Sequence, residues 1–240
     1  MKLNTNSNTY ILAYASLLVI AVAFVLAYFS QALKPIQDKN VALDKKKQIL
    51  ASLNIRNLAT PEEVEAKYSE VVEKDMIVNS KGTTVKSGEG KDKDGFELSS
   101  KDINEKALPV YICKIGNETK YVFPMTGRGL WGGLWGYVSV NADLQTVYGA
   151  YFSHESETAG LGALIAEEKF QDEFKGKHIF DAGNNDSVAL TVVKNGKVEP
   201  GKENVQVDGI TGATLTSNGV ADMVSQGLGL YLGYFKSIKK

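Results

Sequence analysis

The chain has a single cysteine, Cys113, among its 240 residues. That excludes an internal disulfide framework but assigns no redox compartment. It also lacks a surplus of either charge: 27 Lys and Arg against 28 Asp and Glu leave a formal net charge of −1, so no basic field invites nucleic acid. There is no run of zinc-ligand pairs, and no metal site is expected. The length suits one good-sized domain with appendages. Cys113 itself, in Val110-Tyr111-Ile112-Cys113, reads as a buried strand position and not as a reactive thiol.

What the chain does have, first, is a charge-free apolar run from Tyr10 to Phe29. Twenty helical residues at about 1.5 Å each cover roughly the hydrocarbon thickness of a bilayer. Tyr10, Tyr28 and Phe29 stand at its ends, where aromatic rings favour the interface. The run is longer, and its positive flank weaker (Lys2 alone), than a cleaved signal peptide prefers. The expectation is a short tail over 1–9, a retained membrane helix over 10–29, and stalk and scaffold helices over 30–75. Lys34, Lys39, Lys45, Lys46 and Lys47 follow the span, so the positive-inside rule, read literally, places the C-terminal part in the cytoplasm.

Ile36 to Leu53 reads as a charged amphipathic helix that either continues the membrane helix past Pro35 or begins afresh there. Thr60-Pro61-Glu62-Glu63 predicts a helix start with a capping box and proline in the first turn, the helix running to about Val72. Met76-Ile77-Val78 predicts a short strand. Residues 81–106 are rich in charge, Gly and Ser and read as a surface excursion or flexible insertion. Leu108–Ile115 and Lys120–Met125 flank a hairpin signal at 116–119.

Gly127-Arg128-Gly129-Leu130-Trp131-Gly132-Gly133-Leu134-Trp135-Gly136 contains G-x-G-x-x-G. A dinucleotide fingerprint must open a helix, and Gly133 and Gly136 would break one. A loop in which glycines admit a flat ligand, with Leu130 and Trp131 offering apolar planes, fits better. Trp135, leading into a strand, reads as an ordinary core aromatic. A strand over Val147–Phe152 delivers His154, read as a strand-end surface histidine, and then Glu157-Thr158-Ala159-Gly160-Leu161-Gly162. Leu164, Ile165, Phe170 and Phe174 mark an amphipathic helix, and Ser187–Val193 and Val205–Val207 two more strands.

The last strand enters Asp208-Gly209-Ile210-Thr211-Gly212-Ala213-Thr214-Leu215-Thr216-Ser217, and a long amphipathic helix leads out through Val220, Met223, Val224, Leu228, Tyr231, Leu232 and Phe235. Free N–H groups and the positive dipole end make such a helix start fit for a phosphate. Capping by Thr216, Ser217 or Asn218 fits the same residues. The element order predicts an α+β fold: one N-terminal transmembrane helix, then a soluble domain over 76–240 with a mostly antiparallel sheet flanked by helices.

Asp208-x-x-Thr211-Gly212-Ala213-Thr214 resembles the D-x-x-(S/T)-G-A-T signature of covalent FMN-binding domains. The Gly-Leu-Trp loop and the E-T-x-G-L-G turn resemble segments of the C-subunit family of sodium-translocating NADH:quinone oxidoreductases, in that family's order, with Ala159 in place of its proline. The resemblance implies FMN joined through its phosphate to Thr214 by a flavin transferase. It implies flavin contacts from Leu130, Trp131, Glu157, Thr158, Gly160, Leu161, Gly162, Asp208, Thr211, Gly212, Ala213, Leu215 and Thr216. No catalytic nucleophile or acid–base pair is expected, because the flavin carries the chemistry. The implied partners are the other members of a membrane redox complex, and the implied place is the bacterial inner membrane, single-pass, with the flavin domain outside. The equivalent member of a ferredoxin-linked complex and a membrane-tethered, non-redox binding module are the alternatives.

Overall fold

The computed structural model describes residues 5, 7–88 and 90–238; Lys2, the positive flank of the apolar run, lies outside them. Two compact units divide between Lys45 and Lys46. In the first, helix α1 (Asn8–Ser52) contains the apolar run and passes Pro35 without a break. The helix is long and apolar enough to cross a membrane. Leu17, Phe24, Leu26 and Tyr28 are all more than 60% exposed, as a lipid-facing surface requires.

The second unit begins with the last turns of α1. Helix α2 (Pro61–Val71) starts as its sequence dictates: the Thr60 side chain accepts from Glu63 N–H, and the Glu63 carboxylate accepts from Thr60 N–H. Six strands then form one antiparallel sheet in the order β2–β1–β3–β4–β5–β6. They are β1 (Val72–Val78), β2 (Thr84–Lys86), β3 (Leu108–Ile115), β4 (Glu118–Arg128), β5 (Gly133–Asn141) and β6 (Val147–His154). Alternation along β5 puts Leu134, Val138 and Val140 into the main core, while Ser139 on the other face donates to Ser52 O at 2.5 Å. Trp135 is only half-buried, and its indole N–H donates to Gln48 at 3.1 Å.

The charged stretch after β1 is partly built into the fold. It holds β2 and a short helix, α3 (Asp94–Glu97). Asp75, fully buried, accepts from Phe96 N–H at 2.7 Å and gives its own N–H to Gly90 O.

After β6 the single amphipathic helix expected over 164–174 is instead a 3-10 turn (Gly162–Ala166) followed by α4 (Glu168–Asp172). Two short strands, β7 (Thr191–Val193) and β8 (Gln206–Asp208), pair in parallel as a separate ribbon. The C-terminal pattern is two helices, α5 (Thr214–Leu230) and α6 (Leu232–Ile238). The break falls at Tyr231, whose buried hydroxyl is anchored on the carbonyls of Pro109 and Pro124. Its ring packs 4.9 Å from Phe123.

Helix α5 lies close over β4 because glycines face the contact. A Cβ on Gly219 would stand 2.4 Å from Arg128 O, and one on Gly127 would stand 2.6 Å from Met223 Cβ. This contact brings the start of α5 to the β4–β5 hairpin tip.

Candidate functional site

Three segments meet at that end of the sheet. The first is the hairpin tip 129–132, closed by Gly129 N–H donating to Gly132 O at 2.8 Å. The second is the turn 154–162 leaving β6. The third is the approach to α5 from β8.

Glu157 joins all three. Its side chain lies in a residue only 7% exposed. One carboxylate oxygen accepts from Trp131 N–H at 2.8 Å and the other from the Thr216 hydroxyl at 2.6 Å. Burial pushes this carboxyl up, but the hydrogen bonds from Thr216 and Trp131 and the nearby His154 outweigh it and hold the group below the usual glutamate range. His154, at the strand end, accepts from Glu157 N–H through Nδ1 at 3.2 Å. Ser156 fastens the tip a second time, donating to Trp131 O at 3.0 Å.

The approach to α5 is braced from the ribbon. Asp208 accepts from Gly196 N–H at 2.7 Å, Asn195 donates to Gly209 O at 2.9 Å, and Gly209 N–H donates to Val193 O. Ser217 Oγ accepts from Ile210 N–H at 3.0 Å. Thr216 and Ser217 therefore sit inside the helix with their hydroxyls engaged, and neither caps it. The N-cap residue is Ala213, with no side-chain capping bond and no acidic residue in the first turn. The capping alternative fails, and no side chain caps the first-turn N–H groups.

The predicted residues divide by exposure. Thr211, Gly212, Thr214 and Leu215 are exposed at the helix start, as are Thr158 and Gly160 on the turn. Leu130, Trp131, Leu161 and Leu215 keep 48%, 66%, 41% and 59% of their surface in water, a concentration of large apolar side chains that a folded domain normally covers. Leu161 Cδ2 stands 3.0 Å from where a Cβ on Gly212 would be, so the turn and the α5 approach are in contact. Glu157, Gly162, Ala213 and Thr216 face inward, and Asp208 is half-buried against Gly196.

Three of the loop glycines stand hard against the protein's own side chains. Positions for a Cβ on Gly129, Gly132 and Gly136 are taken by Glu157, Ser156 and Phe152 respectively, each within 2.5 Å. They are glycines because the protein's own atoms fill the space. Ser156, Asn195, Gly196 and Ser217 carry no motif that would have marked them as supports.

A family model described as "FMN-binding domain" matches residues 129–229, which span all three segments. The Na(+)-translocating NADH-quinone reductase C subunit of Haemophilus ducreyi is 34% identical over 257 aligned residues, covering 98% of this chain and 97% of that protein. The chain belongs to this C-subunit family. The C subunit of Pseudomonas aeruginosa is 30% identical, with 94% and 93% covered. The crystal structure of the C subunit from Parabacteroides distasonis superposes with a TM-score of 0.75 at 40% identity, over 85% of this chain and 96% of that one.

The residues present fit FMN. The open α5 start suits its phosphate, and the exposed apolar side chains suit a flat ring. In this chain the exposed Thr214 stands at an uncapped helix start, on segments that Glu157 ties to the tip bearing Trp131.

Proposed function

We propose that this chain is the electron-carrying C subunit of a sodium-translocating NADH:quinone oxidoreductase, holding FMN through a phosphoester on Thr214. The observation that carries this reading is Thr214 itself: exposed, first in α5, on a helix start with no capping side chain. Attachment by a flavin transferase bonds the Thr214 oxygen to the flavin nucleotide's phosphorus. The hydroxyl proton departs, the group previously on that phosphorus leaves with its electron pair, and the chain gains one FMN less one water.

A covalent link is physically reasonable here. Dipole and first-turn hydrogen bonds give an anion about 0.3–2 kcal/mol, at best roughly thirtyfold in affinity, which would not retain a soluble cofactor outside the cytoplasm. When bound, FMN supplies transfer of one or two electrons. Leu130, Trp131, Leu161 and Leu215 would cover its ring, with Thr158 and the backbone around Gly160 at its polar edge. The protein thus orients the group and sets its surroundings, and no side chain need act as nucleophile or general acid.

Helix α1 anchors the chain in the bacterial inner membrane, with the flavin domain on the outer side. The electron donor and acceptor are other members of the complex, and sodium transport belongs to the assembly.

In-gel flavin fluorescence tests the reading. Co-expressed with a flavin transferase and denatured, the chain is expected to carry fluorescence that a Thr214→Ala variant loses while keeping its fold. A dark wild-type band would favour the non-redox binding module.

A further inference from the structure

We infer that Glu157 is a positioning residue: its buried carboxylate locks the hairpin tip bearing Trp131 to the first turn of α5, so that the exposed indole and Thr214 keep a fixed relation. This rests on the FMN reading above. The two oxygens reach partners that are 26 and 59 residues away in sequence, and no other side chain touches both segments through hydrogen bonds among those described. The surroundings are shaped to the carboxylate. A Cβ on Gly129 would stand 2.4 Å from one of its oxygens, and a Cβ on Gly162 would stand 2.6 Å from the other. Glycine at both positions makes room for a group that points away from solvent.

The geometry gives the carboxylate a specific task. Trp131 is 66% exposed, and its backbone is held by Glu157 and Ser156. Thr216 lies two residues after Thr214 on the same helical turn. Holding Thr216 therefore fixes the turn from which Thr214 projects, and holding the Trp131 N–H fixes the plane of the tip. Residues that merely stabilise the fold would not need to join these two points.

The test uses the full chain in a Trp135→Phe background, leaving Trp131 as the sole tryptophan. In the chain without flavin, Glu157→Ala is expected to speed hydrogen exchange of the Trp131 amide by roughly tenfold or more, as loss of a bond to a charged group implies. Amides of the β4 core should keep their protection, and Glu157→Gln should retain part of the effect. Thr216→Val, which frees only one oxygen, should speed the same amide by a smaller factor and serves if Glu157→Ala does not fold. In the chain carrying flavin, Trp131 emission should be quenched in the wild type and in Glu157→Gln. It should recover several-fold in Glu157→Ala with the flavin still attached. Wild-type exchange at Trp131 in a folded Glu157→Ala chain, or unchanged quenching, would overturn the proposal. Absence of flavin from the wild-type chain would instead count against the FMN reading, and the exchange experiment would still decide the role of Glu157.

Discussion

Thr214 and Thr216 sit on one helical turn with opposite fates: the first is exposed to solvent, and the second is 2% exposed with its hydroxyl 2.6 Å from the Glu157 carboxylate. The division follows from helix geometry, since residues two apart point about 200° away from each other. Thr214 is thus left in solvent while Thr216 ties the same turn to Glu157.

Thr216→Val leaves a buried carboxylate oxygen without its donor. The expected cost is about 1–3 kcal/mol, read as a lower midpoint in urea. Attachment of flavin at Thr214 should persist, so stability and modification separate in this variant. Loss of flavin from a folded Thr216→Val chain would show that attachment depends on the Thr216 hydroxyl and would contradict this separation.

The acid dependence of stability follows from Glu157. Its carboxyl is held below the ordinary value of about 4.3, so it contributes stability that is present above that value and lost as pH falls through its folded-state value. The difference in unfolding free energy between wild type and Glu157→Gln should be constant from neutral pH down to about 5 and shrink in stronger acid. A difference that grows on acidification would contradict this assignment.

Gly219→Ala tests the seating of α5. The added methyl would meet Arg128 O at 2.4 Å, and backbone cannot give way as a side-chain tip can. A loss of about 1–3 kcal/mol is expected, where an alanine in an exposed helix position would have stabilised the helix. A chemical denaturation curve decides between the two signs.

Thr60→Ala removes one half of the capping box at α2, the hydroxyl that accepts from Glu63 N–H, while the Glu63 carboxylate keeps its bonds from the backbone N–H groups of residues 59 and 60. The expected cost is about 1 kcal/mol, with no effect on flavin. A change in flavin content would mean that α2 couples to the site.

Local chemistry is readable from the sequence and long-range contact is not. The apolar run over 10–29, the Thr60 capping box and the 116–119 hairpin each declare themselves within a few residues, and the structure contains all three. The motif around Thr214 and the turn at 157–162 are likewise local, and the structure leaves Thr211, Gly212, Thr214, Thr158 and Gly160 exposed there. What joins them is not local, because the bond from Thr216 to Glu157 crosses 59 residues and neither residue type announces a partner. Gly127, Gly129, Gly132 and Gly136 are ambiguous for the same reason: a missing Cβ looks alike in sequence whether it faces a ligand or Met223, Glu157, Ser156 and Phe152. Asp75 carries no local signal, yet it is buried and pins the excursion. The helix break at Tyr231 depends on carbonyls of Pro109 and Pro124, which periodicity along one helix cannot reveal.

The most direct measurement is the intact mass of the full chain purified after co-expression with a flavin transferase, followed by fragmentation across α5. The expected mass exceeds that of the amino acids by one FMN less one water, carried on Thr214 and absent from Thr214→Ala. A native chain with no added mass, or the same addition on another residue, would contradict it.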